Sequence, residues 1–472
     1  MAGAEGTGEL QKGLRQRHMT MISLGGVIGA GLFVGSSAVI AQTGPGSVLS
    51  YAAAGLLVVL VMRMLGEMAV AKPAQGSFME YTRMALGDRG GFSVGWLYWY
   101  FWAIVLAVEA VAGAEILQNW LPGVPMWVMA LILMTILTGS NLVSVKNFGE
   151  FEFWFASIKV AAILVFIAIG AGYLLGLGGG DSPGLSNLTS HGGFFPEGGV
   201  TVLSGIVIVI FAFVGAEIVT IAAAESDAPE RNVAKATNAV VWRVIVFYVL
   251  SMFLVLAILP WNKAEVGSSP FIGALDQIGI PGAADIMNAV VVTAVLSCLN
   301  SGIYTGSRML FALSRRGYAS KRLVEVNARG VPVKAILLTV SIGFFSVILA
   351  ALWPDSVFLW LVNSSGAVAL FCYVLIAISQ LRLRRRLERE APESLTLKMW
   401  FFPWLTYAAI AAMVAVIVAM ALVDDVRAQL WWSLASLAVV VGLAFWHERR
   451  ATAPADRRRR APAAGLGRAQ VD

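Results

Sequence analysis

Gly25-Gly26-Val27-Ile28-Gly29-Ala30-Gly31-Leu32-Phe33 lies in the middle of the first long apolar segment of the chain. Between Gly25 and Gly35 five residues are glycine (Gly25, Gly26, Gly29, Gly31, Gly35), where a helix interior normally avoids it. Each glycine costs a helix about 1 kcal/mol relative to alanine. Such a run makes sense where the backbone leaves helical geometry or comes close to another group. Inside a membrane a break of this kind is tolerated only where it is buried or lines a wet cavity.

The composition places the chain in a membrane. Of its 472 residues 58% are hydrophobic and 13% charged, with a mean hydropathy of +0.78. A soluble domain carries about 25% charged residues, so the chain reads as a polytopic membrane protein. Cys298 and Cys372 both fall in apolar segments and form neither a disulfide framework nor a metal motif. The three histidines, His18, His191 and His447, lie outside the span interiors, which disfavours a metal centre. No nucleophile–base constellation suggests an enzyme, no cofactor is implied, and nothing resembles the selectivity filter of a channel. The N-terminal apolar run exceeds a signal-peptide core and is read as an uncleaved first span.

A span takes about 20 mostly apolar residues. Twelve are expected, near 19–41, 47–70, 95–118, 125–145, 153–177, 201–223, 240–260, 285–312, 333–352, 356–379, 402–423 and 429–446. Residues 1–18 precede this domain (19–446), and a basic tail without hydrophobic periodicity, expected to be disordered, follows at 447–472. Lys and Arg concentrate in alternate connections, such as Arg15 and Arg17, Arg83 and Arg89, Arg315 and Arg316, and Arg382 to Arg386. The positive-inside rule then puts both termini in the cytoplasm. Topology and anionic lipid account for the basic runs; nucleic acid is not expected as a partner.

The sixth expected span is interrupted as well, at Phe211-Ala212-Phe213-Val214-Gly215-Ala216-Glu217. The second interruption comes five spans after the first, an odd offset, so the second half would enter the membrane in the opposite sense. Interrupted helices at matching positions of inverted halves point to a transporter site at the midplane. The competing explanation is close helix packing, as in Gly25-Xaa3-Gly29. A half-helix beginning after a break offers N–H groups and the positive end of its dipole to a carboxylate. A half-helix ending at a break offers carbonyls to an ammonium. A zwitterionic amino acid carries one of each.

Ionisable residues at membrane depth are functional candidates by default. Glu109 and Glu115 are about 240° apart around a helix; Glu115 is expected to reach water and Glu109 to face the cavity. Glu217 adjoins the second break, where it would sense substrate or carry a proton. Lys159 either snorkels to the cytoplasm or faces inward. Glu67 and Arg63 read as a local i,i+4 pair, and Asp227-Ala228-Pro229-Glu230 as the cap of a short amphipathic helix along the cytoplasmic face. The run Trp96-Leu97-Tyr98-Trp99-Tyr100-Phe101-Trp102 reads as an aromatic belt. The polar groups in Ser297-Cys298-Leu299-Asn300-Ser301-Gly302 and Asn363-Ser364-Ser365-Gly366 would be interhelical glue or would line the substrate path, and both readings stay open.

Several stretches are familiar: Gly26 to Phe33, Thr138 to Leu142, Val145-Lys146-Asn147-Phe148-Gly149-Glu150-Phe151-Glu152-Phe153-Trp154, Gly215 to Ser226, Ser297 to Ser301, and Ser314-Arg315-Arg316-Gly317. Across residues 10 to 446 the chain resembles the amino acid permeases of the amino acid–polyamine–organocation superfamily, most closely the 4-aminobutyrate (GABA) permeases. The resemblance implies an all-α, leucine-transporter-like fold of twelve helices in a five-plus-five inverted repeat, with helices one and six broken. It implies that the substrate carboxylate rests on backbone amides of Val27, Gly29, Ala30 and Gly31. The amine would meet carbonyls of Phe211 and Val214, beside Glu217. It also makes Lys159 the counterpart of a lysine that stands in for a sodium ion in some relatives. Gly31 departs from the pattern, which has serine there.

The expectation is a plasma-membrane carrier importing 4-aminobutyrate or a similar small amino acid by proton symport. The proton is the coupling ion, and Glu109, Lys159 and Glu217 are the coupling candidates. The alternative is a permease or exchanger for another neutral or aromatic amino acid on the same scaffold.

Overall fold

The computed structural model describes residues 14–177, 182–353, 361, 365 and 367–460. Among them every regular element is helical, and the one bridge outside helices joins Leu14 to Ser226. Ten stretches are long and apolar enough to cross a membrane, and the stretch Ala30–Ala71 holds the second expected span together with half of the first. The tenth expected span is described at Leu361, Ser365 and from Ala367 onward, so most of Asn363-Ser364-Ser365-Gly366 lies outside the described residues.

The glycines divide span one into three short helices: α1 (Gln16–Gly25), α2 (Ala30–Phe33) and α3 (Ser36–Thr43). Then come α4 (Ser47–Ala71), α5 (Phe78–Leu86), α6 (Asp88–Gln118), α7 (Met126–Val143) and α8 (Val145–Leu174). Span six is α9 (Thr201–Phe213) and α10 (Ile218–Ala222). Span seven is α11 (Pro229–Arg243) and α12 (Ser251–Ile258), joined by a π-helical stretch at Val244–Leu250. The rest are α13 (Pro270–Ile278), α14 (Ala283–Arg315), α15 (Val333–Leu352), α16 (Val368–Glu390), α17 (Trp404–Leu422) and α18 (Asp424–Arg460).

Four expectations change. The cap at Asp227 is not formed: Ala228 precedes α11 without a side-chain cap, and α11 runs on into span seven. It is therefore one end of a span and not a separate surface helix. Glu67 does not pair with Arg63. Its buried carboxylate takes Arg384, the Gln380 amide at 2.8 Å and the Met399 N–H at 2.6 Å, while Arg63 donates to Asn238 and the Lys398 carbonyl. A buried carboxylate needs several donors, and one half-buried arginine a turn away cannot supply them. The tail does not start at 447, since α18 continues to Arg460; residues 461–472 lie outside the described part. Finally, α5 and α13 appear where no helix was expected.

The basic loops gather on one face. Arg308 pairs with Glu225 at 2.9 Å, Arg316 with Glu80 at 2.6 Å and Arg17 with Glu150. His447 meets the Gly317 carbonyl and Arg89 meets Glu448, which brings the last helix to the same face as Leu14. α6 and α14 pack lengthwise through the centre. α17 and α18 lie at the edge, with Trp404, Trp431 and Trp432 exposed to the surroundings.

Candidate functional site

The two breaks meet. Val214 is extended and Gly215 has φ +113°, a conformation side-chain-bearing residues rarely adopt. A Cβ on Gly215 would stand 2.9 Å from the Gly26 carbonyl oxygen, and one on Gly31 would stand 2.9 Å from Ala212 Cα. Glycine at these two positions lets span one and span six cross backbone against backbone. This explains the costly stretch of glycines better than a general packing motif does.

Between the breaks lies a cavity of about 20 Å³, room for about one water and far smaller than an open ligand site (roughly 300–1,000 Å³). Of the residues expected to bind, Val27, Gly29, Gly31, Phe211 and Val214 all line it, together with Glu109 and Cys298. Ala30 is buried just behind, its backbone amide facing the Glu109 carboxylate. Among the described residues no backbone carbonyl accepts from the N–H groups of Val27, Gly29 and Gly31. The dipole argument fits less well than these bare amides do: α2 is four residues long, and a macrodipole needs aligned turns. The Phe211 carbonyl accepts from Val214 N–H at 3.3 Å and keeps a second lone pair.

The aromatic-belt reading is overturned. α6 begins at Asp88, so the run Trp96 to Trp102 sits two to four turns into the helix, and Tyr98, Phe101 and Trp102 are buried. Phe101 and Trp102 line the cavity. Tyr98 reaches Glu217.

Glu217 does not line the cavity. Its Oε1 accepts from the Tyr98 hydroxyl at 2.8 Å and from Gly215 N–H at 3.1 Å, and its Oε2 accepts from the Tyr373 hydroxyl at 3.0 Å. The carboxylate thus pins the unwound part of span six to α6 and α16. Tyr248, inside the π-helical stretch, plays a similar part: its hydroxyl lies 3.1 Å from the Ala212 carbonyl and 3.3 Å from that of Val27. π-helical turns recur at functional sites, and here one places a phenol against both broken backbones. The sequence held no signal for it.

Lys159 faces inward. Its ammonium donates to the Ile28 carbonyl at 2.7 Å and to Ser297 Oγ at 2.7 Å, behind the first break. Glu115 is exposed near the C-terminal end of α6. The open question over residues 297–302 resolves residue by residue. Ser297 contacts Lys159, Cys298 lines the cavity, and Asn300 ties α14 to α7 through Asn141 at 2.9 Å.

The model of the family described as "Amino acid permease" matches residues 18–453. The chain belongs to the amino acid permease family. This permease is 54% identical over 422 residues to the gamma-aminobutyric acid permease of Bacillus subtilis, covering 89% of this chain and 90% of the relative. It is 50% identical over 416 residues to the gamma-aminobutyric acid permease of Escherichia coli (87% and 89%). It is 40% identical over 390 residues to an E. coli aromatic amino acid transport protein (83% and 86%). In fold it is similar to a nucleobase–cation symport-1 family transporter solved in a closed conformation with bromovinylhydantoin bound. That likeness has a TM-score of 0.54 at 14% identity and covers 93% of this chain and 95% of the other. The permease therefore has the leucine-transporter-like fold. It is a membrane carrier and not an enzyme.

Proposed function

We propose that this permease imports 4-aminobutyrate across the plasma membrane by proton symport, with the basic face and both termini in the cytoplasm. The observation that carries the substrate is its 54% identity, over nine-tenths of both chains, to a gamma-aminobutyric acid permease. The lining of the cavity suits it, and the space of about 20 Å³ would have to widen to admit it. The substrate carboxylate would rest on the unpaired amides of Val27, Gly29 and Gly31, with Ala30 held by Glu109. The ammonium, three methylenes away, would meet the carbonyls of Phe211 and Val214, while Phe101 and Trp102 cover the methylenes.

Of the coupling candidates, Lys159 has the geometry for the proton. Its ammonium holds the first break from behind through Ile28, so losing the proton would loosen one of its contacts to the break. Glu109 lies in the cavity and senses the substrate's charge. Glu217 serves the gate by fixing the second break. The substrate is a net-neutral zwitterion, so one proton makes the cycle electrogenic. Each charge crossing 100 mV supplies about 2.3 kcal/mol, roughly a fifty-fold accumulation.

A second reading follows from the aromatic amino acid relative at 40% identity: the same scaffold would take a larger neutral amino acid. Uptake of labelled 4-aminobutyrate into proteoliposomes, competed by a panel of amino acids, separates the two. Strong self-competition with little effect of phenylalanine or tyrosine is expected. Stronger competition by aromatic amino acids than by unlabelled 4-aminobutyrate would reverse the assignment.

A further inference from the structure

Behind the cavity the Lys159 ammonium has a second neighbour whose arrangement is unusual for a structural ion pair. Ser297 Oγ accepts from Lys159 Nζ at 2.7 Å and donates to Glu152 Oε1 at 2.7 Å. All three side chains are fully buried. Glu152 stands seven residues before Lys159 on α8, two turns or about 10 Å along the axis. The displacement is toward the end of α8 where Glu150 meets Arg17 and His18 at the basic face. Glu152 Oε2 is buried and has no hydrogen-bond partner among the described residues.

A carboxylate kept only to neutralise a buried lysine would be expected to touch it and to have both oxygens satisfied. Here a hydroxyl is interposed, and one oxygen is left open. Serine is both donor and acceptor, and this one is oriented as a bridge between the two charges. The other titratable groups facing the ammonium are Cys298 on α14 and Glu109 on α6, both at the cavity.

We propose that Glu152 receives the coupling proton from Lys159 through Ser297 and passes it toward the basic face. The inference rests on the proton-symport reading above. In the transfer the Lys159 Nζ–H bond breaks as Ser297 Oγ takes that proton, and the Ser297 Oγ–H bond breaks as Glu152 Oε1 takes the serine's own. Ammonium and carboxylate become amine and carboxylic acid, the serine is regenerated, and no electrons leave the three groups. Glu152 then releases its proton to water on the basic face when that side opens, and returns to carboxylate.

The test uses purified full-length carrier in proteoliposomes and two readouts. One is exchange of labelled for unlabelled 4-aminobutyrate at equal pH, which requires binding and movement without net proton transfer. The other is accumulation driven by a one-unit pH gradient, with internal pH followed by a trapped dye. Full coupling to one proton gives about tenfold accumulation. Glu152→Gln and Ser297→Ala are expected to lose that accumulation and the acidification that accompanies it, while exchange persists; Glu152→Asp should recover part of both. Accumulation and acidification at the wild-type ratio in Glu152→Gln and Ser297→Ala would overturn the relay, as would parallel loss of exchange and accumulation in all three variants. Absence of substrate-dependent acidification in the wild type would instead overturn the symport reading itself.

Discussion

At Gly31 the Cβ position stands 2.9 Å from Ala212 Cα and 3.1 Å from its Cβ, and backbone cannot move aside as a flexible side chain can. Gly31→Ser is therefore expected to push the two breaks apart. Overpacking of this kind costs about 1–3 kcal/mol, read as a lower melting temperature and a reduced rate of 4-aminobutyrate uptake. Wild-type uptake in that variant would show that the crossing is looser than described. Tyr373→Phe is a milder change that removes one of three donors from Glu217. A hydrogen bond to a charged group is worth about 1.5–3 kcal/mol, so thermal stability should fall by that order, with the cavity lining intact. Unchanged stability would mean that Glu217 does not need its phenol partners. The glycines were legible in the sequence because their cost in a helix has few explanations. Tyr98, Trp102 and Tyr248 were not. A run of aromatic residues looks the same whether its rings face lipid or a cavity, and only the neighbouring helix decides which. Glu152 stood in a familiar motif, but its link to Lys159 runs through a serine on another span.

Among the elements, the short end of span six is held to α14 by a buried pair. Arg308 and Glu225 are 4% and 1% exposed and lie 2.9 Å apart; the Tyr304 hydroxyl donates to Glu225 at 2.9 Å, and the Arg308 guanidinium lies over the Tyr304 ring. The Leu14 N–H adds a bond to the Glu225 carbonyl at 3.2 Å. If these contacts close the path between the cavity and the basic face, breaking them should open it. Removing one partner of a buried pair typically costs about 3–5 kcal/mol, and here the cost falls on the closed arrangement. In a Cys372→Ala background, Arg308→Ala should therefore speed labelling of Cys298, which lines the cavity, by a thiol reagent supplied on the basic side. Equal labelling rates with and without Arg308 would rule out this inner gate. Nothing in the sequence marks Arg308 as buried, because the positive-inside pattern does not distinguish an exposed arginine from a buried one. The helices α5 and α13 escaped notice for a related reason: each has nine residues, too few for a span. The helical continuation to Arg460 was missed because the tail lacks an apolar stripe.

Taken whole, the molecule is a bundle whose two interrupted spans face each other and whose basic loops share one face. That much followed from hydropathy, the position of glycines and the alternation of Lys and Arg. The odd offset of five spans from one break to the other implied opposed halves, and the family's fold agrees. The proposed coupling rests on a lysine that is buried 2.7 Å from the backbone of the first break, a placement that composition leaves open. The claim joining these levels is that substrate and proton enter together through this site. Simultaneous recording of labelled 4-aminobutyrate and internal pH in proteoliposomes tests it most directly. The account predicts saturable uptake with internal acidification in fixed proportion, abolished when the proton gradient is collapsed. Uptake to the same level without a proton gradient and without acidification would contradict it.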